Sequence, residues 1–243
     1  RCAPFAACEG AIVAGCEGAC GGETAVASCE RGCLDEAATC ADAAACLGLD
    51  PPGTVDPWTP VAFAPGPYGI APREVAGPLT LDTLDGPFDL ESIWTGRDSV
   101  VFLTVAAQWD YATQLWNSSM YQWLTKSTDH THYVMLAYPQ DGAPSPEVQI
   151  QALADRVEET LGQIGTVQGP ARVCHWRRRL HFVTTPATGA DTWVSQKLQD
   201  NPGIGFAIDR FQRLREIGLL SQVQGPPMLN HVPYEVQHYD FEW

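Results

Sequence analysis

The feature that most constrains this chain is a dense series of cysteines near its beginning. Eight of the nine cysteines lie within the first 46 residues, at positions 2, 8, 16, 20, 29, 33, 40 and 46. A short segment that is rich in alanine and poor in large apolar side chains needs cross-links or a metal to stay folded. Zinc sites favour Cys-x2-Cys pairs, whereas the repeated Cys-x3-Cys spacing with mirrored outer cysteines favours disulfides.

The spacing of these cysteines also predicts how they pair. The intervening residues number 5, 7, 3, 8, 3, 6 and 5, which is nearly a palindrome. Two antiparallel helices folded about Gly21 and Gly22 would bring mirrored positions together, because cysteines four apart share a helix face. The sequence therefore predicts a disulfide-stapled α-helical hairpin over residues 1–49, although eight cysteines allow many other pairings. The predicted pairs are Cys20–Cys29, Cys16–Cys33, Cys8–Cys40 and Cys2–Cys46.

Cysteine usage and charge indicate where the protein acts. Disulfides persist in oxidising compartments, so we expect a secreted or cell-surface protein with a processed N-terminus. No apolar run approaches the ~18 residues that a membrane helix needs, so no membrane insertion is expected. A net charge of −15 disfavours nucleic acid and anionic membranes as partners. The basic residues 177–179 are interpreted as a solvated helix face rather than a phosphate site.

Residues 50–78 form a linker with eight prolines and four glycines. Each proline removes a backbone donor, so this stretch is expected to be extended and irregular. It contains Trp58, Phe63 and Tyr68. These aromatic side chains either pin the linker onto the next domain, which is the favoured interpretation, or form an exposed strip for a partner.

Residues 79–222 alternate between strand and helix patterns. Strands are predicted at 79–83, 99–105, 132–138, 180–185, 205–209 and 214–218. Helical patterns occupy 109–126, 145–164, 171–179 and 191–199, and residues 87–94 predict a short helical turn capped near Asp89. This order, closed by a hairpin, predicts an α/β sheet with helices on both faces.

Two stretches of this domain resemble a known family. LTLDTLDGPFDLESIWTGRDSVVFLTVAAQWD, at 79–110, resembles the opening of the thioredoxin-like redoxins, whose valine-rich strand ends in Trp-Cys-x-x-Cys. GFAIDRFQRLREIG, at 205–218, resembles their terminal hairpin. The resemblance implies a thioredoxin-like sheet, with the family's hairpin glycine at Gln212 and its pre-hairpin proline at Gly203. The N-terminal segment is similar to the α-hairpinin type of helical hairpin.

The chain departs from this family at the residues that carry its chemistry. If Trp109 corresponds to the family's tryptophan, Asp110 and Thr113 stand where the two cysteines belong. Thiol–disulfide exchange requires a thiolate, which a carboxylate and a hydroxyl cannot replace. The sequence therefore predicts a redox-inactive scaffold that is not an enzyme. Asp110 and Thr113 then either begin a helix, which is favoured, or belong to a ligand-binding corner.

The remaining candidate residues are Cys174, two histidines and a sequon. Cys174 is interpreted first as a buried inert thiol, then as an intermolecular disulfide, and last as a nucleophile beside His175. His130 and His132 would share a strand face, as zinc ligands can, but structural or solvated histidines are favoured. No metal or other cofactor is expected. Asn117 begins a glycosylation sequon inside a predicted helix, which matters only in a eukaryote.

Residues 223–243 form an aromatic and acidic tail that is expected to dock elsewhere or to begin a further segment of the natural chain. Taken together, these features predict a secreted, redox-inactive, thioredoxin-like protein that acts in extracellular binding or assembly. Its expected partners are other proteins or copies of itself. Two alternatives stay open: a redoxin-class enzyme with displaced cysteines, and a small-ligand or metal-binding module at the Asp110–Thr113 corner or at His130 and His132.

Overall fold

The computed structural model describes residues 8, 10–21, 24–49, 59–106, 110–187, 192–200, 205–217, 229 and 232–233. In chain order, its elements are α1 (Gly10–Gly21), α2 (Ala25–Glu36), α3 (Cys40–Leu47), β1 (Thr80–Thr83), β2 (Gly86–Asp89), α4 (Leu90–Ile93), β3 (Ser99–Val105), α5 (Asp110–Trp116), α6 (Met120–Lys126), β4 (Thr131–Ala137), α7 (Pro146–Gln168), α8 (Pro170–Arg177), β5 (Leu180–Val183), α9 (Trp193–Asp200), β6 (Gly205–Ile208) and β7 (Leu214–Glu216). Among the described residues, no helix is both long and apolar enough to cross a membrane.

The chain forms two compact units. Unit 1 comprises Arg1–Pro57 and Glu158–Arg179, and unit 2 comprises Trp58–Val157 and Leu180–Trp243. The helical unit therefore includes a segment from inside residues 79–222, which the sequence assigns to the sheet domain. All nine cysteines fall within the two ranges of unit 1.

Unit 1 contains more helices than the predicted hairpin. Helix α1 contacts α2 and α3, and both α2 and α3 contact α8. Alanine and cysteine make up most of its buried core. The core comprises Ile12, Cys16, Ala19, Cys33, Leu34, Ala43, Ala44, Cys46 and Cys174. A core of this kind buries little apolar area for each residue, so covalent links supply much of its stability.

The predicted second helix of the hairpin is divided by a turn between Glu36 and Cys40. Helix α3 begins with a capping box, in which the Thr39 hydroxyl accepts from the Asp42 N–H at 3.1 Å. The Asp42 carboxylate accepts in return from the Thr39 N–H at 2.9 Å. Because each group satisfies a backbone donor of the first turn, a new helix starts here. The chain can therefore fold back on itself between Cys33 and Cys46.

Disulfides link the helices of unit 1, which confirms the prediction of disulfide bonds. The described bonds are Cys8–Cys40, Cys29–Cys174 and Cys33–Cys46. Cys16 is also disulfide-bonded, and its partner is not among the described side chains.

The predicted pairing is largely wrong. Cys8–Cys40 is one of the mirrored pairs, and it is present. The pairs Cys20–Cys29, Cys16–Cys33 and Cys2–Cys46 are not formed, since Cys29 is bonded to Cys174 and Cys33 to Cys46. The break before α3 brings Cys33 and Cys46 together across a sequence separation of only 13. Spacing within residues 1–49 could not reveal a partner 145 residues away.

Cys174 is therefore neither a free thiol, an intermolecular link nor a nucleophile. Its side chain is fully buried and bonded to Cys29, and the Cα–Cα separation is 5.6 Å. A sulfur in a disulfide has no thiolate to offer. This bond fixes α8 to α2 within unit 1.

Arg178 lies in the basic cluster that was interpreted as a solvated helix face, and this interpretation is wrong for it. Its side chain is only 17 % exposed, and its Nη1 donates to Glu30 Oε1 at 2.8 Å and to the Cys46 carbonyl at 2.9 Å. Burial lowers the pKa of the guanidinium from its ordinary value, and the nearby carboxylate of Glu30 opposes that shift. The pair fills a space against Gly48, where an added Cβ would approach the guanidinium within 2.6 Å.

Unit 2 contains a seven-stranded sheet in the order β2-β1-β5-β4-β3-β6-β7, which confirms the predicted α/β class. Strands β3, β4 and β5 are parallel neighbours, and β6 runs antiparallel to β3. Hairpins β1–β2 and β6–β7 form the two ends. The core is made mostly of large side chains and comprises Ala76, Leu79, Leu81, Phe88, Leu90, Val100, Phe102, Val134, Leu136, Val183, Ala187, Val194, Leu198, Phe206, Ile208 and Leu214.

Each predicted strand has a counterpart in β1, β3, β4, β5, β6 or β7. The helical turn at Asp89 is α4, whose Ser92 N–H donates to the Asp89 carboxylate at 2.9 Å. Strand β2 is not predicted, because a four-residue strand that contains Pro87 shows no clear alternation. Its place at the sheet edge is one that proline tolerates.

The predicted helix at 109–126 is two helices, α5 and α6. The Ser118 hydroxyl donates to the Leu115 carbonyl at 2.5 Å, and the Ser119 hydroxyl accepts from the Gln122 N–H at 3.2 Å. Serine side chains that bond to nearby backbone compete with a continuous helix. The sequon residue Asn117 is consequently exposed at the break between the helices, not inside a helix.

The described part of the linker, residues 59–78, packs on the sheet unit through some of its aromatic residues. The Trp94 indole N–H donates to the Val61 carbonyl at 2.8 Å, and the Phe63 ring meets Trp94 edge to face at 5.7 Å. Tyr68 is 46 % exposed and donates its hydroxyl to the Ala64 carbonyl. Trp58 lies outside the described residues.

Removal of the long-range disulfide should destabilise unit 1. Replacing Cys29 and Cys174 together by alanine removes a bond that closes a sequence separation of 145, so we expect the free energy of unfolding to fall by about 2–4 kcal/mol. Urea unfolding followed by far-UV circular dichroism measures the change. The matched control replaces Cys8 and Cys40, whose separation is 32, and should lose less. A non-reduced peptide map that lacks the Cys29–Cys174 peptide would contradict this assignment.

Candidate functional site

The predicted corner lies at the start of α5. Helix α5 begins at Asp110, and Thr113 is exposed in its first turn. Trp109 and the side chain of Asp110 lie outside what the structure describes. The choice between a helix start and a ligand-binding corner therefore stays a prediction.

Charged and polar residues lie at the other end of β3 from this corner, at the edge of the sheet where β3 and β4 begin and β6 ends. Strands β3 and β4 are parallel with Ser99 beside Thr131, so Asp98 and His130 precede them at the same edge. Strand β6 is antiparallel to β3 with Ile208 beside Val100, which brings Asp209 to that edge as well. The corner at α5 follows the other end of β3. We call the edge that contains Asp98, His130 and Asp209 the polar edge.

Asp98 is the centre of a buried polar cluster at this edge. Its carboxylate accepts from the Thr95 hydroxyl at 2.7 Å and lies 3.4 Å from His130 Nδ1 and 3.8 Å from His132 Nε2. The Asp98 side chain is only 7 % exposed. Burial by itself would raise the pKa of Asp98, but hydrogen bonds from His130, His132 and Thr95 and the charge of His132 hold it well below its ordinary value of 3.8.

The cluster continues along the sheet through a second histidine contact. His132 Nδ1 lies 3.1 Å from His181 Nε2, and the two rings are nearly parallel, with an interplanar angle of 9°. Strands β4 and β5 bring them together, because His181 is beside Val134, two residues along from His132. The His181 ring also packs on Phe88 at 4.7 Å. One nitrogen of the His132–His181 contact donates the proton of this hydrogen bond and the other accepts it.

His130 and His132 thus both lie beside one carboxylate, that of Asp98. Among the described residues, no group of three or more histidine, cysteine, aspartate or glutamate side chains is placed to hold a metal ion. Sequence reasoning singled out the two histidines and missed Asp98. The signal for Asp98 was weak, since an aspartate before a strand is common in turns.

The turn of the β6–β7 hairpin is built around the buried carboxylate of Asp209. Its Oδ1 accepts from the N–H groups of Phe211 and Arg213, both at 2.9 Å. Its Oδ2 pairs with Arg215, whose Nε donates at 2.7 Å and Nη2 at 2.6 Å. The Asp209 side chain is 0 % exposed and that of Arg215 6 %. A buried carboxylate persists when its oxygens are paired and hydrogen-bonded in this way.

Gln212 adopts a left-handed backbone in this turn, with φ 61°. Its side chain is fully buried: Nε2 donates to the Ala76 carbonyl and Oε1 accepts from the Ala64 N–H, both at 2.6 Å. The Gln212 carbonyl also accepts from the Ala76 N–H at 2.8 Å. This position is where the family resemblance places a glycine. Gln212 supplies the conformation of a glycine and in addition fastens residues 64–76 to the hairpin.

An open pocket of about 530 Å³ lies beside this turn. It is lined by two apolar residues, Val61 and Phe211, and by three arginines, Arg73, Arg213 and Arg215. Sequence reasoning missed it, because its residues come from the linker and from the terminal hairpin, about 140 positions apart.

Comparisons of the chain with family models, with curated proteins and with solved structures found no match. The function must therefore be inferred from the residues themselves.

Neutralising Asp98 should change how stability depends on pH. Since the folded pKa of Asp98 is depressed, its contribution is present above the ordinary value of 3.8 and is lost as the pH falls below it. We expect Asp98→Asn to lower the free energy of unfolding at pH 7 by about 2–3 kcal/mol and to flatten its dependence on pH below about 4. Urea titrations between pH 3 and 7 would measure both effects.

The control for this experiment is Asp155→Asn. Asp155 is exposed and accepts from the Gln151 side chain on the same helix. Its replacement should lower the free energy of unfolding at pH 7 by much less than Asp98→Asn does, because an exposed hydrogen bond adds little stability. An Asp98→Asn protein with the wild-type slope would show that Asp98 is not held in its ionised form.

Two substitutions at Gln212 separate its backbone from its side chain. Gln212→Gly loses the two side-chain hydrogen bonds but fits a φ of 61°, whereas Gln212→Ala loses the same bonds and keeps the strain. We expect the alanine variant to be less stable than the glycine variant by about 1 kcal/mol. Thermal unfolding of the two variants side by side checks the order. Equal stability would mean that the left-handed conformation imposes no strain.

Proposed function

We propose that this chain is a secreted or cell-surface, thioredoxin-like module that acts by binding or assembly and carries out no thiol redox chemistry. The distribution of cysteines is the observation that carries this proposal. All nine fall in the ranges of unit 1, and the unit that contains the sheet has none. A scaffold without a thiolate beside its sheet cannot exchange disulfides there.

The topology of unit 2 supports the thioredoxin-like part of the proposal. Three parallel strands, β5-β4-β3, are followed in the sheet by the antiparallel β6–β7 hairpin. A helix begins at Asp110, soon after β3 ends. The left-handed φ of Gln212 occurs where the family resemblance expects a glycine. The hairpin, the helix after β3 and the conformation at position 212 are features that the sequence resemblance also implies, and they support this part of the proposal.

The disulfides of unit 1 support an oxidising compartment. Cys29–Cys174 and Cys33–Cys46 each join a fully or nearly fully buried cysteine to another helix. Bonds of this kind act as structural staples of a small-residue core. With Cys174 in such a staple, the alternative of a redoxin-class enzyme with displaced cysteines loses its free thiol, and only a disulfide of the N-terminal helices is left to carry it.

A binding role accounts for the polar edge better than catalysis does. Asp98 is ionised but lies in a buried cluster with His132, which is 8 % exposed. The guanidinium groups of Arg73 and Arg213 are exposed near this edge and line a pocket. Arginine binds planar anions through directed hydrogen bonds and is a poor general acid or base, because it stays protonated.

Restoring the missing cysteines tests the proposal directly. The full chain should show no insulin reduction above the buffer rate. The double variant Asp110→Cys, Thr113→Cys places a Cys-x-x-Cys pair in the first turn of α5, where low thiol pKa values are favoured. We expect this variant to gain measurable insulin reduction with dithiothreitol as the electron donor.

The matched control moves the same pair away from the corner. Ala152→Cys with Asp155→Cys puts two exposed cysteines at the same spacing in the interior of α7, away from a helix start, and should stay inactive. Turnover by the wild-type chain would overturn the redox-inactive assignment. An inactive but disulfide-forming Asp110→Cys, Thr113→Cys variant would argue against a thioredoxin-like corner.

A further inference from the structure

We infer that the arginine-lined pocket beside the β6–β7 turn binds an oxyanion, a carboxylate or a phosphate, carried on a small apolar body. This inference rests on the proposed binding function and names its ligand class. The pocket measures about 530 Å³, within the range of roughly 300–1,000 Å³ that is common for small-molecule sites. Its lining combines guanidinium groups with Val61 and Phe211.

The charge of the pocket is opposite to that of the protein. The chain has a net charge of −15, yet the part of this pocket's lining that the structure describes contains no acidic residue. Arg215 is neutralised by Asp209, to which it is bonded twice. Arg213 has no carboxylate partner among the described residues, and its Nη1 donates to the Arg73 carbonyl at 3.0 Å. The nearby Glu74 carboxylate accepts from the Ala71 N–H at 2.8 Å.

The two exposed arginines are held in place by their backbones. The Arg73 N–H donates to the Leu214 carbonyl at 2.7 Å, and the Leu214 N–H donates to the Glu74 carbonyl at 2.9 Å. Val75 and Arg213 form an antiparallel bridge. These bonds attach the linker to the hairpin as an additional short strand. The two backbone segments that carry these guanidinium groups are therefore fixed relative to each other, so a ligand that bridges them does not have to order the main chain.

Arg73 has a conformation that is unusual for its residue type. Its φ is 72°, in the left-handed region that residues other than glycine adopt infrequently. The conformation is over-determined by the hydrogen bonds on either side of Arg73. Strained residues of this kind cluster at ligand-binding positions, and here the strain places a guanidinium on the pocket wall.

The apolar part of the lining indicates the rest of the ligand. Phe211 is half-buried, and the Arg210 guanidinium stacks on its ring at 4.4 Å from the centroid. Val61 is held by the hydrogen bond from the Trp94 indole and by its own N–H bond to the Gly96 carbonyl at 3.2 Å. A fully hydrated inorganic anion would leave these side chains unused. An oxyanion on an apolar ring or chain would contact them and the guanidinium groups at once.

The test titrates the full, disulfide-bonded chain with benzoate and with phenyl phosphate. Benzyl alcohol and inorganic phosphate serve as the uncharged and the non-apolar comparison probes. We expect at least one of the two aromatic anions to bind more tightly than both comparison probes, as measured by calorimetry or by amide shifts in nitrogen-15 spectra. Its affinity should fall as sodium chloride is added, because screening weakens exposed ion pairs.

Substitutions assign the binding to this pocket. Arg213→Gln should raise the dissociation constant roughly tenfold or more, since it removes a charged hydrogen-bond donor. Lys126→Gln removes the same charge elsewhere in unit 2 and should leave binding unchanged. If Arg213→Gln fails to fold by circular dichroism, Arg73→Gln gives the same readout from the other wall.

Each outcome decides the inference. Binding of benzoate alone, of phenyl phosphate alone or of both, with loss in Arg213→Gln, supports it and names the source of the oxyanion. Aromatic anions that bind no better than benzyl alcohol, or that bind Arg213→Gln as well as the wild type, overturn it. This titration involves no thiol, so such a result would reject the anion site without bearing on thiol chemistry. The proposed function would still be tested by the insulin assay.

Discussion

The buried carboxylate of Asp209 is the group on which the polar edge depends. A carboxylate without solvent is stable only if its oxygens are paired, and Asp209 meets this requirement with Arg215 and with two N–H groups of its own turn. Those bonds set the path of residues 209–213. The path puts Gln212 in a left-handed conformation with its amide directed at the linker. The linker, fixed by Gln212, then brings Arg73 beside Arg213.

The two units reach stability by different means. Unit 2 buries large apolar side chains between a sheet and its helices, such as Phe102, Phe206 and Leu214, and needs no covalent links. The core of unit 1 consists largely of alanine and cysteine, which bury much less area. Disulfides and the Arg178–Glu30 pair compensate for this. A buried ion pair adds less net free energy than its short distance suggests, because both groups lose hydration, so the disulfides matter more.

The two ends of β3 differ in their polar groups. One end leads to helix α5, which begins at Asp110, and buried polar groups lie at the other end, around Asp98 and Asp209. Asp98 stays ionised because donors surround it, and this buried charge joins β3 and β4 at their start. The exposed guanidinium groups beyond it are suited to holding an anion.

The sequence by itself determined the elements of local origin. The apolar runs of β3 and β4, the cap at Asp89 and the helix starting at Pro146 depend on neighbours in the chain, so their signals are visible in the residues. It also determined that no cysteine lies between Cys46 and Cys174, and so none at the end of β3. Only the tertiary structure decided the partner of Cys29, the pairing of His132 with His181 and the pocket at Arg73 and Arg213. These contacts join residues 49 to 145 positions apart, and their geometry depends on how whole elements pack, which spacing does not encode.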